Sequence, residues 1–165
     1  MATFDLFKRF FGSQDRREKP RVNAREGTRV LIIDDSPTIV AMLRKLLRQN
    51  GYDTLEAGDA EKGLELARSE KPDLIFLDIV LPGMNGFAAL RQLRRDPITI
   101  RTPVIMISGN EQATEQFYAQ RIGADDFMKK PFSRSEVFTR IENLLDGELV
   151  PKRPRPSTPD RSSAA

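Results

Sequence analysis

Short apolar runs recur along the chain, and the clearest of them end in polar residues. Residues 30–33, 74–77 and 104–107 form the three clearest runs, and residues 54–57 and 127–129 are two weaker candidates. Runs of this length without polar alternation are typical of strands that are buried on both faces of a parallel sheet. The pattern therefore predicts five strands in a sheet that is covered on both sides.

Amphipathic segments lie between the predicted strands. The segment after the first run repeats apolar residues at the spacing of one helix face, at Ile39, Leu43, Leu46 and Leu47. Ser36 is a suitable N-cap for this helix, Pro37 suits its first position, and Gly51 follows its end. Shorter stripes of the same kind pair Leu64 with Ala67, Phe87 with Leu90, and Phe117 with Ile122.

The last helix is predicted from an apolar stripe at Val137, Ile141, Leu144 and Leu145. Ser133 or Ser135 would cap its start, and Gly147 would stop it. Strand and helix thus alternate five times, and each interval between strands holds one helix. Residues 28–147 are therefore predicted to form a single doubly wound α/β domain with a five-stranded parallel sheet.

Two basic segments flank this domain. Residues 28–147 contain 16 Lys and Arg against 18 Asp and Glu, whereas residues 1–27 contain 7 against 4 and residues 148–165 contain 4 against 2. The Pro-rich segment 148–165 is predicted to be an extended, disordered tail. Residues 1–27 combine a Phe-rich amphipathic stretch, residues 1–11, with a polar linker. That stretch either docks on its own domain, is unstructured, or weakly anchors the chain to a membrane surface or a partner groove.

The composition narrows the chemistry that is available to the chain. The sequence contains no Cys and no His, which excludes disulfides, thiolate or imidazole metal sites and His-dependent catalytic triads. No apolar run approaches the roughly 18 residues that would span a bilayer, and no signal peptide is visible. We therefore expect a cytoplasmic protein, with peripheral association at the inner membrane through residues 1–11 as the alternative.

Polar side chains at the ends of the predicted strands form the candidate site. They are Asp34, Asp35, Asp78, Ser108 and Lys130. Ligands bind beyond the carboxyl ends of the strands in open α/β sheets, so these residues should meet in one cleft. Clustered carboxylates without His or Cys favour Mg²⁺, with Mn²⁺ as a further option. Asp78 is the best candidate for a nucleophile toward a phosphoryl group, with Ser108 and Lys130 to neutralise its oxygens.

The segments that hold these residues resemble a known family. Residues 33–36, 76–86, 106–109 and 127–132 are similar, in that order, to the receiver domain of two-component response regulators. The resemblance covers the whole body of about 120 residues. It implies the flavodoxin-like (βα)5 fold with strand order 2-1-3-4-5, which the handful of apolar runs alone does not establish.

The resemblance also implies roles for the acidic residues. Asp78 would be the phosphoacceptor, and Asp34 and Asp35 would hold Mg²⁺ together with Asp78. The backbone carbonyl of Val80 would be a further metal ligand. Val80 lies at a position that tunes attack by water in this family, so its apolar side chain leaves the lifetime of the phosphoryl group open.

The resemblance implies that three further residues take part in a conformational change on phosphorylation. Ser108 would be the hydroxyl that follows the phosphoryl group, and Lys130 would contact that group, with a cis peptide bond to Pro131. Phe127 would be the aromatic switch residue, which turns inward after phosphorylation. The surface formed by the fourth helix, the fifth strand and the fifth helix would then change its preference for partners.

Partners follow from the same resemblance. A sensor histidine kinase of the chemotaxis-kinase type would supply the phosphoryl group, and an effector protein would respond. Because 18 residues follow residue 147, we expect a stand-alone receiver without direct DNA binding, and a signalling protein that catalyses only its own phosphorylation and dephosphorylation. The sequence is similar to regulators of type IV pilus twitching motility. The alternative is a receiver of flagellar chemotaxis or of a phosphorelay, which acts as a phosphate sink.

Two other protein classes share parts of this pattern. Phosphatases of the haloacid-dehalogenase type also place an aspartate, a hydroxyl and a lysine at strand ends, but they usually show Asp-x-Asp after the first strand and need room for a cap. A flavodoxin-like cofactor binder would need a phosphate-binding loop after the first strand. Asp34 and Asp35 occupy that position here and would repel a phosphate.

Overall fold

The computed structural model describes residues 22–109 and 113–154. The predictions for the Phe-rich stretch 1–11, for most of the linker and for residues 155–165 lie outside these residues. Within the described part of the chain, no helix has the length and the apolar character that crossing a membrane requires.

Five parallel strands form one sheet in the order β2-β1-β3-β4-β5. Their bounds are β1 Arg29–Ile33, β2 Asp53–Ala57, β3 Leu74–Asp78, β4 Val104–Ser108 and β5 Asp126–Lys129. All residues of β3 and β4 are buried, as unbroken apolar runs require. The predicted fold class and strand order are confirmed, and the order reverses between β1 and β3, which places these two strands at the centre of the site.

Helices cover both faces of the sheet. Their bounds are α1 Pro37–Arg48, α2 Ala60–Glu70, α3 Gly86–Arg95, α4 Ala113–Ile122 and α5 Arg134–Glu142. The predicted N-cap Ser36 accepts a hydrogen bond from the backbone N–H of Ile39, and Ser133 caps α5 through the N–H of Glu136. One buried apolar cluster lies under α1 and α5, and the other lies under α2, α3 and α4.

Two helix predictions differ from the structure. Phe117 was predicted to lie on the apolar stripe of α4 with Ile122, but its surface is 62% exposed and Ala119 is buried instead. Helix α5 ends at Glu142 rather than near Gly147. Leu144 and Leu145 both lie beyond the helix. Leu144 is still buried, and Leu145 pairs with Pro151 in an antiparallel bridge.

Residues 144–154 form a strap across the amino ends of the strands. The N–H of Lys152 donates to the carbonyl of Leu144, and the carbonyl of Leu149 accepts from the N–H of Arg25. The Arg153 guanidinium binds Asp125, with Nε 3.0 Å from Oδ1. Residues 148–154, which the sequence assigned to an extended tail, are therefore folded back onto the domain, because this ion pair and these backbone bonds hold them there.

Candidate functional site

The carboxyl ends of β1 and β3 place two buried aspartates side by side. Asp34 directly follows β1 and is 1% exposed, and Asp78 is the last residue of β3 and is 3% exposed. The N–H of Asp34 donates to the carbonyl of Ala57, and Asp34 Oδ1 accepts from the N–H of Ser36 at 2.8 Å. The start of α1 therefore fixes the orientation of the Asp34 side chain.

Asp35 completes an acidic group at this edge of the sheet. One carboxylate oxygen from each of Asp34, Asp35 and Asp78 lies within 4.8 Å of the others. Asp35 is exposed to solvent, whereas the other two are buried. Three carboxylates at this spacing form an oxygen-only donor set that suits a hard divalent cation such as Mg²⁺. The residues present therefore fit the metal that the sequence predicts.

Lys130 lies between the two buried carboxylates. Its Nζ is 2.8 Å from Asp34 Oδ2 and 3.2 Å from Asp78 Oδ2. Lys130 directly follows β5, and the backbone N–H of Lys130 donates to the carbonyl of Ser108 at 2.7 Å. This bond positions the lysine at the end of the sheet. The peptide bond between Lys130 and Pro131 is cis, as predicted.

Burial and charge shift the pKa values of this pair. Burial and, to a smaller extent, the nearby charge of Asp34 raise the pKa of Asp78 to about 6, although Lys130 and the N–H of Val80 oppose the rise. Burial alone would lower the pKa of Lys130, but its hydrogen bond to Asp34 and the charges of both aspartates outweigh burial and raise that pKa. Lys130 therefore keeps its charge beside Asp78 at neutral pH.

Ser108 and Phe127 occupy the neighbouring strands. Ser108 ends β4 and is fully buried, and its Oγ donates to Oε2 of Glu115 on α4 at 2.7 Å. Phe127 on β5 is 4% exposed and packs in the cluster under α2, α3 and α4. The side chain of Phe127 is thus already inside the domain in this structure. Whether phosphorylation changes its position is not tested by one conformation, so its switch role stays a prediction.

The backbone around Asp78 is tightly packed. A Cβ atom at Gly86 would lie 2.1 Å from the carbonyl oxygen of Asp78, and the N–H of Gly86 donates to the carbonyl of Ile79. The side chain of Val80 is 67% exposed, and the metal-binding role of its carbonyl stays a prediction. Sequence reasoning found the five strand-end residues but gave no role to Gly86 or Glu115. Gly86 lies within the segment 76–86 and could have been noticed there, whereas nothing in the sequence marks Glu115.

Comparison with known proteins agrees with this geometry. Residues 30–142 match the family model of the response regulator receiver domain. The chain belongs to this family. Over 119 residues it is 41% identical to Protein PilH of Pseudomonas aeruginosa, covering 72% of this chain and 98% of PilH. The chain spans about half the length of several other relatives, which are transcriptional regulators by name.

Solved receivers have the same fold. The chemotaxis protein CheY4 of Vibrio cholerae superposes with a TM-score of 0.69 at 26% identity, covering 72% of this chain and 99% of CheY4. The receiver domain of the sensor histidine kinase PA1611 from Pseudomonas aeruginosa superposes with a TM-score of 0.65 at 27% identity, covering 71% and 95%, and its active-site cleft holds a coordinated magnesium ion. Receivers are signalling proteins that bind Mg²⁺ in an acidic cleft and interact with histidine kinases and effectors.

Proposed function

We propose that Asp78 is the phosphoacceptor of this receiver. The observation that carries the proposal is the position of its carboxylate, which is buried, lies beside two further aspartates and is 3.2 Å from the Lys130 ammonium. A buried carboxylate with few solvent contacts is a suitable nucleophile when cations neutralise the oxygens of the incoming group.

The transfer exchanges one bond to phosphorus for another. A carboxylate oxygen of Asp78 forms an O–P bond while the N–P bond of a phosphohistidine on a sensor histidine kinase breaks. The electron pair of that bond stays on the imidazole nitrogen, and the product is an acyl phosphate on Asp78. A small acyl phosphate serves as an alternative donor, in which case an O–P bond breaks and a carboxylate leaves.

The cation of this site supplies charge neutralisation on the phosphoryl oxygens when it is bound. Asp34, Asp35 and Asp78 would hold Mg²⁺, or Mn²⁺ in its place, together with the backbone carbonyl of Val80. On the other side of the cleft, Lys130 would move from the Asp78 carboxylate to a phosphoryl oxygen. The hydroxyl of Ser108 would donate to another of these oxygens.

The output of this receiver is a change in protein contacts. Ser108 ends β4, the backbone of Lys130 joins β5 to that strand end, and Ser108 Oγ contacts Glu115 on α4, so a movement of Ser108 would reach α4 and β5. We propose that an effector protein binds the α4-β5-α5 surface, and that the receiver catalyses only its own phosphorylation and dephosphorylation. The similarity to PilH supports a role in a chemosensory pathway of type IV pilus twitching motility.

The test is phosphorylation by acetyl phosphate in the presence and absence of Mg²⁺, followed by intact mass. The wild-type chain should gain one phosphoryl group only with Mg²⁺, and Asp78→Asn should gain none. Asp53→Asn is the matched control, because Asp53 is exposed at the opposite edge of the sheet, at the start of β2, and this variant should behave like wild type. If Asp78→Asn is modified as fast as wild type, Asp78 is not the acceptor. If wild type neither gains mass nor binds beryllofluoride, the proposed function is wrong.

A further inference from the structure

The switch hydroxyl already has a charged partner on α4. Ser108 Oγ donates a hydrogen bond of 2.7 Å to Oε2 of Glu115. Glu115 lies in the first turn of α4 and is half-buried. A negative charge is favoured in the first turn of a helix, and hydrogen bonds to a carboxylate are stronger than those between neutral groups. The bond therefore holds the Ser108 side chain toward α4.

A serine hydroxyl has one proton to donate. The proposed function requires that proton for a phosphoryl oxygen on Asp78, whereas in this structure it is donated to Glu115. The two bonds exclude each other. We propose that Glu115 is a positioning residue that holds Ser108 in the unphosphorylated receiver, and that this bond must break before Ser108 binds the phosphoryl group. This inference rests on the proposed function.

The negative charge of Glu115 would also displace α4 when the bond between Ser108 and Glu115 breaks. Phosphorylation adds negative charge at Asp78, and Ser108, the neighbour of Glu115, turns toward it. The Glu115 carboxylate then loses a donor and faces a new like charge, so the first turn of α4 is repelled from the site. Because Glu115 is half-exposed, water can take the place of the lost donor. Glu115 thus converts a charge on β3 into a displacement of α4.

Helix α4 is suited to such a displacement because few of its side chains are anchored. Among residues 115–122 only Ala119 is buried, whereas Phe117 is 62% exposed and Tyr118 is 41% exposed. By contrast, four of the ten residues of α3 are buried. Elements with little buried apolar surface open and shift at a low cost in free energy. Release of Glu115 should therefore move α4 rather than strain the sheet.

The test is the affinity of the full chain for beryllofluoride with Mg²⁺, a mimic of the phosphoryl group. Glu115→Ala should bind beryllofluoride about three- to tenfold more tightly than wild type, because the bond between Ser108 and Glu115 no longer has to be broken. Glu115→Gln keeps an acceptor oxygen but loses the charge, so its affinity should lie between the two. Gln116→Ala, an exposed change at the next position, should stay within about twofold of wild type.

A double-mutant cycle separates this role from a general effect on folding. Glu115→Ala should lose most of its effect when it is combined with Ser108→Ala, because the bond in question is then already absent. An equal effect with and without Ser108→Ala, or no effect of Glu115→Ala while wild type binds beryllofluoride, would overturn the inference and leave the proposed function in place. Failure of wild type to bind beryllofluoride would overturn both.

Discussion

At the level of single side chains, the Lys130 ammonium lies between two buried carboxylates, 2.8 Å from Asp34 and 3.2 Å from Asp78. One cation compensates two buried negative charges, so a net negative charge remains in the cleft. Burial, together with this excess of negative charge, raises the pKa of Asp78 although a lysine is in contact with it. The cleft therefore favours the binding of a further cation, and its excess negative charge lowers the stability of the protein without that cation.

The first prediction concerns this cost. The raised pKa of about 6 means that the folded chain holds a proton on Asp78 more tightly than the unfolded chain does. The contribution of Asp78 to stability is thus present below pH 3.8, and it is lost as the pH rises toward 6 and above. In EDTA at pH 7–8, Asp78→Asn should raise the free energy of unfolding by about 1–3 kcal/mol.

Urea unfolding between pH 4 and pH 8 is the measurement. The difference between Asp78→Asn and wild type should narrow as the pH falls toward 4, because Asp78 is then protonated in the wild-type protein. The control Asp53→Asn changes an exposed carboxylate and should shift stability by less than about 0.5 kcal/mol at any pH. A wild type that is more stable than Asp78→Asn at pH 8 would contradict this account of the cleft.

The second prediction concerns Gly86. Its missing Cβ would lie 2.1 Å from the Asp78 carbonyl oxygen and 2.8 Å from the Cα of Ile79. Both are backbone atoms, so the strand end itself would have to move. Gly86→Ala should therefore lower the free energy of unfolding by about 1–3 kcal/mol and slow phosphorylation at Asp78. Thermal unfolding and the acetyl phosphate assay would measure the two effects.

Gly147→Ala is the matched control for Gly86→Ala. A Cβ at Gly147 would meet no heavy atom within 4 Å, and this position is far along the chain from the site. The control should leave both stability and the rate of phosphorylation near their wild-type values. Equal effects of the two substitutions would show that close packing against β3 is not the reason for a glycine at position 86.

At the scale of elements, helix α3 is joined to the sheet through Arg94. Its side chain is 9% exposed, and its Nη2 binds the buried carboxylate of Asp125 at 2.9 Å. The same guanidinium donates to the carbonyls of Gly123 and Thr102. Asp125 also accepts from the N–H of Val104 at the start of β4. One ion pair thus connects α3, the loop before β4 and the loop before β5.

The third prediction is that Arg94→Met destabilises the protein by about 2–4 kcal/mol. Removing one member of a buried pair leaves a buried charge with weaker compensation, and Asp125 would retain only the more exposed Arg153. Arg44→Met is the control, because Arg44 and Glu56 form a pair whose side chains are 39% and 33% exposed, and its loss should cost less than about 1 kcal/mol. Chemical denaturation measures the free energy of unfolding of both variants. Similar losses of stability would refute the claim that the buried Arg94 pair contributes more than the exposed Arg44 pair.

The comparison of these elements shows what could be predicted from the sequence. The apolar runs of β3 and β4 and the polar residues after them are local signals, and the strand-end residues Asp34, Asp78 and Lys130 followed from them. The contact of Ser108 with Glu115 depends on how α4 packs at the end of β4, and the ion pair of Arg94 with Asp125 joins residues that are distant in the sequence. Such contacts leave no periodic signal, because one polar residue at an amphipathic helix surface resembles any other.

In helix α4, the apolar pattern of the sequence predicted the buried face only in part. Phe117 and Ile122 matched an apolar stripe, yet Phe117 is exposed and its ring lies under the Arg121 guanidinium at 5.8 Å. Tyr118 packs edge-on against Phe87 of α3. A pattern of apolar residues predicts that a helix has a face, but the face that is buried depends on how neighbouring helices approach it.

At the scale of the whole molecule, the strap of residues 144–154 extends the folded unit beyond the predicted boundary at 147. Pro151 is buried, and Arg153 reaches Asp125 and the carbonyl of Ile100. These contacts join the end of α5 to the loop before β4. The folded unit that the structure describes therefore includes residues that lie outside the matched range 30–142.

The fourth prediction tests this boundary. A chain that ends at residue 147 should be less stable than a chain that ends at residue 154 by about 1–3 kcal/mol, because it loses the bridge at Pro151 and the bond of Arg153 to buried Asp125. Thermal or urea unfolding of the two chains measures the difference. Arg153→Ala in the full chain should reproduce part of it, and equal stability of the two shortened chains would show that the strap contributes nothing.

The strap has a geometric consequence for anything attached to this receiver. The backbone N–H of Ala24 donates to the hydroxyl of Tyr52, the residue directly before β2. Arg153 contacts the loops before β4 and β5. Both described ends of the chain therefore leave the domain at the amino ends of the strands. The acidic cleft lies at the carboxyl edge, a strand length of roughly 15 Å away. A receiver tethered through either end to a surface or to a second protein would therefore present its acidic cleft outward, where a kinase can approach without displacing the tether.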